Sequence, residues 1–169
     1  VDGADGARIV YGSATIESIA LTQVIAGDPT GSRVARIGDV NGDGFADLAV
    51  GAPGARGGLG RVSVYVGSPA GLAQTPARVW EGDAQNASFG TVIAALGDVN
   101  GDGFDDLALG ELGATVRSLE AAGRVRVYLG SPSGPRDVPD QVFEGRARFD
   151  FFGASIARAS QPRSRTMGV

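Results

Sequence analysis

Residues 38–51 read GDVNGDGFADLAVG, and residues 97–110 read GDVNGDGFDDLALG. The two stretches differ only where Ala46 meets Asp105 and Val50 meets Leu109, and Asp39 and Asp98 stand 59 residues apart. Self-similarity at a fixed spacing marks a repeat protein. A second shared block follows each stretch: GRVSVYVGS at 60–68 and GRVRVYLGS at 123–131, 63 residues apart. The four extra residues of the second copy fall in ELGATVRSLEAA (111–122), which stands where the first copy has APGARGGL (52–59). A glycine precedes each acidic stretch by eight residues, Gly31 and Gly90, and Gly153 starts the pattern again. Phe89 and Phe152 come before the last two, Thr30 before the first.

Within a repeat the apolar segments are short and bounded by Gly, Pro, Asp or Ser. In RVSVYVG, Val62, Val64 and Val66 share one face while Ser63 and Tyr65 share the other. That period of two is a strand signature. Four strands in each unit of about 60 residues predict an all-β chain of β-propeller blades, each four antiparallel strands. The divisions expected are 1–30 for a partial repeat holding the last strands of a blade, 31–89 and 90–152 for two whole repeats, and 153–169 for the start of a third with an unpatterned tail. GARIVYGSA (6–14) is a degenerate form of the GRVSVYVGS block. The pattern reads as a segment of a longer array or as a repeat protein that has lost its ends. TVRSLEAAG (115–123) ends in Gly, a helix stop, so a short helix is expected in the insertion.

Composition removes many chemistries. The chain of 169 residues has no Cys and no His, and its 15 basic residues are all Arg. Thiolate and imidazole metal ligands, a Ser-His-Asp triad, Schiff-base lysines and a P-loop lysine are therefore excluded. A net charge of −4 argues against nucleic acid as a partner. No apolar run is long enough to span a membrane.

The acidic stretches carry the remaining chemistry. Asp39, Asn41, Asp43 and Asp47 occupy loop positions 1, 3, 5 and 9, as do Asp98, Asn100, Asp102 and Asp106. Oxygen donors on alternate residues converge when the backbone curls, and Gly44 and Gly103 at position 6 permit that curl. The carbonyls of Phe45 and Phe104, at position 7, can join them. Hard oxygen donors without nitrogen or sulfur suit Ca²⁺, one per loop and two in total. Two Ca²⁺ would bring the formal charge from −4 to zero. An EF-hand or a dockerin-type loop needs an acidic residue at position 12, where this chain has Val50 and Leu109. Asp105, at position 8, is expected to be solvated. Trp80 and Phe143, in the matching segments VWEG and VFEG, are expected to pack between blades. Arg117 and Glu120 are candidates for contact with a partner. The Arg-rich tail (Arg158, Arg163, Arg165) is expected to be disordered or an artefact of truncation, with contact to an acidic surface as the alternative.

These parts resemble the FG-GAP repeats of integrin α subunits and of bacterial secreted proteins. Phe89-Gly90 and Phe152-Gly153 match the Phe-Gly pair, Gly51-Ala52-Pro53 the Gly-Ala-Pro, and the acidic loop and GRVxVYxGS the remainder. Repeat two departs with Gly110-Glu111-Leu112, and repeat one with Thr30. The resemblance covers about 6–159. It implies a seven-bladed ring, Ca²⁺ that stabilises blades, no catalytic or organic-cofactor site, a protein or carbohydrate ligand, and an extracellular or cell-surface location. The all-Arg, Gly- and Ala-rich composition points to a GC-rich bacterial gene. An adhesion or recognition module is the first expectation. The alternatives are an accessory propeller segment of a larger secreted hydrolase, and a scaffold in which copies associate through open blade edges.

Overall fold

The computed structural model describes residues 7–11, 21–25 and 33–159. Thr30, Gly31, Arg163 and Arg165 lie outside them.

Strands β1 (Ala7–Tyr11) and β2 (Leu21–Ile25) pair antiparallel, from Ala7 opposite Ile25 to Tyr11 opposite Leu21. The next four strands, β3 (Arg33–Gly38), β4 (Asp47–Ala52), β5 (Arg61–Tyr65) and β6 (Arg78–Glu81), form one antiparallel sheet in chain order. Strands β7 (Phe89–Gly97), β8 (Asp106–Glu111), β9 (Arg124–Tyr128) and β10 (Gln141–Glu144) form a second sheet of the same order. Each sheet is a four-stranded β-propeller blade.

Burial explains the strand sequences. DLAVGA of β4 and DLALGE of β8 are covered on both faces, so they read as nearly continuous apolar runs. RVSVY of β5 alternates instead, with Val62 and Val64 fully buried.

The core lies between the two blades. Ile37, Val40, Ala49, Val62, Val64 and Trp80 of the first meet Phe89, Leu107, Leu109 and Tyr128 of the second. Burying a side chain such as Phe89 stabilises by roughly 1.5–3 kcal/mol. The Phe-Gly pair makes this seam. Phe89 donates its N–H to Leu59 O at 3.1 Å and forms a parallel bridge to Gly60. Gly90 then takes φ +82°, and a Cβ there would overlap Val62 Cγ2. Phe152 repeats the bridge, onto Gly123, but is 41% exposed. Trp80 packs between blades as expected, whereas Phe143 is 47% exposed.

A further expectation is corrected. The 111–122 insertion is not helical. Val116 and Leu119 close a tight turn by mutual backbone hydrogen bonds of 3.1 and 2.7 Å, with Arg117 and Ser118 at φ +48° and +71°. The longest helical stretch among the described residues is the four-residue turn Ala55–Gly58. The insertion's charged residues hold their own blade: Arg117 pairs with Glu144 at 3.1 Å, and Glu120 with Arg148 at 2.8 Å. Arg56 pairs with Glu81 at 3.1 Å in the first blade, so both blades tie a loop arginine to the last residue of their fourth strand.

Glu111, the departure from Gly-Ala-Pro, is fully buried. Its carboxylate meets Arg126 at 2.7 Å and Arg124 at 3.3 Å. Asp83, in the link from the first blade, meets the same guanidiniums at 2.9 and 3.2 Å. Arg126 also lies over the Phe89 ring, 5.1 Å from its centroid. Burial pushes the Glu111 carboxyl up, against the pull of both arginines.

Candidate metal centre

The first acidic loop joins β3 to β4, and the second joins β7 to β8. Each curls around its first aspartate. Asp39 Oδ1 accepts the N–H groups of Gly42 and Asp43 at 2.7 and 3.0 Å, and Oδ2 accepts that of Gly44 at 2.8 Å. Asp98 accepts from Gly101, Asp102 and Gly103 at 2.6, 3.1 and 2.9 Å. The turn needs position 6 in the left-handed region, where Gly44 and Gly103 lie at φ +86° and +91°. These N–H bonds, that of Gly103 foremost, hold the Asp98 carboxyl below its ordinary range.

Positions 3 and 5 are tied to each other. Asn41 Oδ1 accepts the Asp43 N–H at 3.2 Å, and Asn41 Nδ2 donates to Asp43 Oδ2 at 2.8 Å. Asp43 Oδ1 accepts the N–H of Phe45 at 2.9 Å. Asn100, Asp102 and Phe104 reproduce the three bonds at 3.0, 2.9 and 3.1 Å.

Position 9 forms the floor. Asp47 and Asp106 are buried, at 1% and 0% exposure. Asp47 accepts the N–H groups of Val40 at 2.8 Å and Gly67 at 2.7 Å, which joins the loop to the end of β5. Asp106 does the same with Val99 and Gly130 at 2.8 and 2.9 Å. Burial pushes both carboxyls up, and the neighbouring loop aspartates add to the rise.

Among the described residues, no three acidic side chains are gathered at metal-ligating distance. The donors are directed at backbone N–H groups and at the Asn41 and Asn100 amides. Their chemistry nevertheless fits a hard cation. Every side-chain donor is an oxygen, and a carboxylate oxygen accepting one hydrogen bond keeps a second lone pair. Asp39 Oδ2, both oxygens of Asp43 and both of Asp47 are in that state by the bonds above.

The expectation that Asp105 is solvated is also corrected. It is half-buried, and its Oδ2 accepts the N–H of Asp39 at 2.9 Å. Its own N–H donates to Asp39 O at 2.9 Å. The sequence held a signal for this role, because position 8 is the one place inside the two loops where they differ.

The FG-GAP repeat model matches residues 31–65 and 89–128. Integrin alpha-PS2 of Drosophila melanogaster is 35% identical over 116 residues, 63% of this chain and 8% of that protein. Integrin alpha-7 of Rattus norvegicus is 41% identical over 130 residues, 70% of this chain and 10% of that protein. Integrin alpha-3 of Cricetulus griseus is 38% identical over 95 residues, 54% of this chain and 9% of that protein. The chain thus spans a tenth or less of the curated relatives it matches. No helix among the described residues is long and apolar enough to cross a membrane. The two matched segments contain the Phe89-Gly90 seam, both acidic loops and both GRVxVY strands, and this chain carries two FG-GAP repeats.

Proposed function

We propose that each acidic loop holds one Ca²⁺ and that the two repeats belong to a non-catalytic recognition or adhesion module of a secreted or cell-surface protein. One observation carries the cation reading. Two loops 59 residues apart repeat one hydrogen-bond scheme, three N–H groups on the first aspartate and two on the last. The first ion's ligands are Asp39, Asn41, Asp43, the Phe45 carbonyl and Asp47. The second ion's are Asp98, Asn100, Asp102, the Phe104 carbonyl and Asp106. A bound cation offsets the mutual repulsion of three carboxylates and favours the ionised form of Asp47 and Asp106.

The likeness to integrin alpha chains supports recognition of a protein or carbohydrate ligand. Loops of this affinity class fill where Ca²⁺ is about millimolar, which supports an extracellular location. Calorimetric titration with Ca²⁺ tests the reading. Two sites are expected in the wild type and none in a D43A/D102A double variant. A wild type that takes up no Ca²⁺ overturns it.

A second reading, association between copies, has its own observation. Phe143 and Phe152 are 47% and 41% exposed, while their counterparts Trp80 and Phe89 are buried between blades. Solution mass by light scattering decides it: a dimer or larger assembly supports the reading, and a monomer removes it.

A further inference from the structure

We propose that Asp105 is a positioning residue through which the second acidic loop sets the cation affinity of the first. The proposal rests on the cation reading above. Its starting point is the reciprocal pair already described. Asp105 Oδ2 accepts the Asp39 N–H, and the Asp105 N–H donates to Asp39 O, both at 2.9 Å. One residue of repeat two thus fixes the peptide groups on both sides of the first ligand of repeat one.

The surroundings are shaped for this contact. A Cβ on Gly38 would overlap the Asp105 carboxylate, so the glycine before the first ligand leaves the space that Asp105 fills. Phe104 lies against the next turn of the same loop, where a Cβ on Gly42 would come within 2.7 Å of the ring. Ser131, just after β9, donates its N–H to Val40 O at 3.1 Å. Residues 39 and 40 of loop one are therefore hydrogen-bonded to repeat two, and residues 38 and 42 lie against it.

The grip comes from one side. Loop one has Ala46 at the matching position and no carboxylate to extend. At Gly97, the counterpart of Gly38, the group filling the cradle is the Arg158 guanidinium. Opposite charges therefore face the heads of the two loops.

Asp105 stands between Phe104 and Asp106, both in the ligand set of loop two. The fold of loop two fixes the backbone on either side of Asp105, and Asp105 passes that constraint to Asp39 whether or not loop two holds an ion. Asp39 belongs to loop one alone, so the tie bears directly on loop one's affinity and little on loop two's. Without the carboxylate, loop one must order its first ligand alone.

The test is a Ca²⁺ titration of the whole chain followed by amide NMR. Gly44 and Gly103 each donate to the first aspartate of their own loop, at 2.8 and 2.9 Å, so their signals report the two loops separately. D105A installs the residue that loop one carries at this place. Loss of a charge-assisted hydrogen bond predicts about a tenfold weaker loop one, with loop two within about twofold. D105N keeps an acceptor oxygen and is expected to retain most of the loop-one affinity. Unchanged loop-one affinity in D105A, or an equal fall in both loops, overturns the proposal.

A second measurement is made in chelator. Hydrogen exchange at the Asp39 amide is expected to be at least about tenfold faster in D105A than in wild type, because a protected N–H has lost its acceptor. An unchanged rate overturns the clamp. If the wild type takes up no Ca²⁺, the cation reading falls by itself, and the Asp39 exchange rate alone decides whether Asp105 holds loop one.

Discussion

The indole of Trp80, on the last strand of the first blade, lies against the phenol of Tyr128, on the third strand of the second. Their centroids are 4.3 Å apart and their planes are tilted by 36°. The indole Nε1 donates to Asp137 O at 3.0 Å, and Arg78 beside it reaches Pro135 O and the Asp137 carboxylate. The contact joins an apolar stack to a polar anchor, so the blades are fastened at their outer edge as well as along the Phe89 seam.

Trp80→Ala removes the stack and leaves a cavity between the blades. A loss of about 3–5 kcal/mol is expected, read as a lower urea midpoint. Trp80→Phe, which keeps a ring and loses the donor, is expected to lie between the two. A loss below about 1 kcal/mol for the alanine variant would place the seam's strength elsewhere.

Glu111 and Arg126 exchange together with Ala52 and Ser63 between the repeats. Glu111→Ala leaves two guanidiniums facing only Asp83, and Arg126→Ser leaves a buried carboxylate with Arg124 alone. Each single change is expected to cost about 3–5 kcal/mol. The double variant restores the residues of the first blade and is expected to cost clearly less than the sum. Additive losses in the double-mutant cycle would show that the pair is not coupled.

Gly90→Ala combines a left-handed backbone with overlap on Val62. A loss of at least about 1–3 kcal/mol is expected from the conformation alone. Thermal unfolding measures it, and a variant as stable as the wild type would sink the account of the Phe-Gly pair.

Chelation is expected to lower the melting temperature. One filled loop at a hundred times its dissociation constant contributes about 2.7 kcal/mol. Asp43→Ala and Asp102→Ala are each expected to remove part of the Ca²⁺-dependent gain, and the double variant all of it. A melting temperature independent of both Ca²⁺ and chelator would leave the loops without a stabilising role.

Much of the blade was legible in the sequence because strand register is written locally. The alternation of Val62, Val64 and Tyr65 and the repeated DLAVG and DLALG predict strands whose neighbours are their chain neighbours. The failures have a different physical origin. The insertion ends in Gly123 after residues tolerated in a helix, yet Val116 and Leu119 pair and force Arg117 and Ser118 to positive φ. Tertiary closure overrode propensity there. Asp105 and Glu111 were legible only as differences between copies. Their partners, Asp39 and Arg126, lie 66 and 15 residues away, and no local period links them. The oxygen chemistry of the acidic loops was legible, but the orientation of their side chains was not, because backbone N–H groups compete for the same oxygens.

The Arg56–Glu81 and Arg117–Glu144 ties have the same ends although the loops that supply the arginines differ by four residues. Loop length is therefore decoupled from strand geometry: a segment can lengthen, change shape and acquire new surface chemistry while its anchor point on the sheet stays put. Such an arrangement lets the outer surface of a blade diversify without renegotiating the fold beneath it.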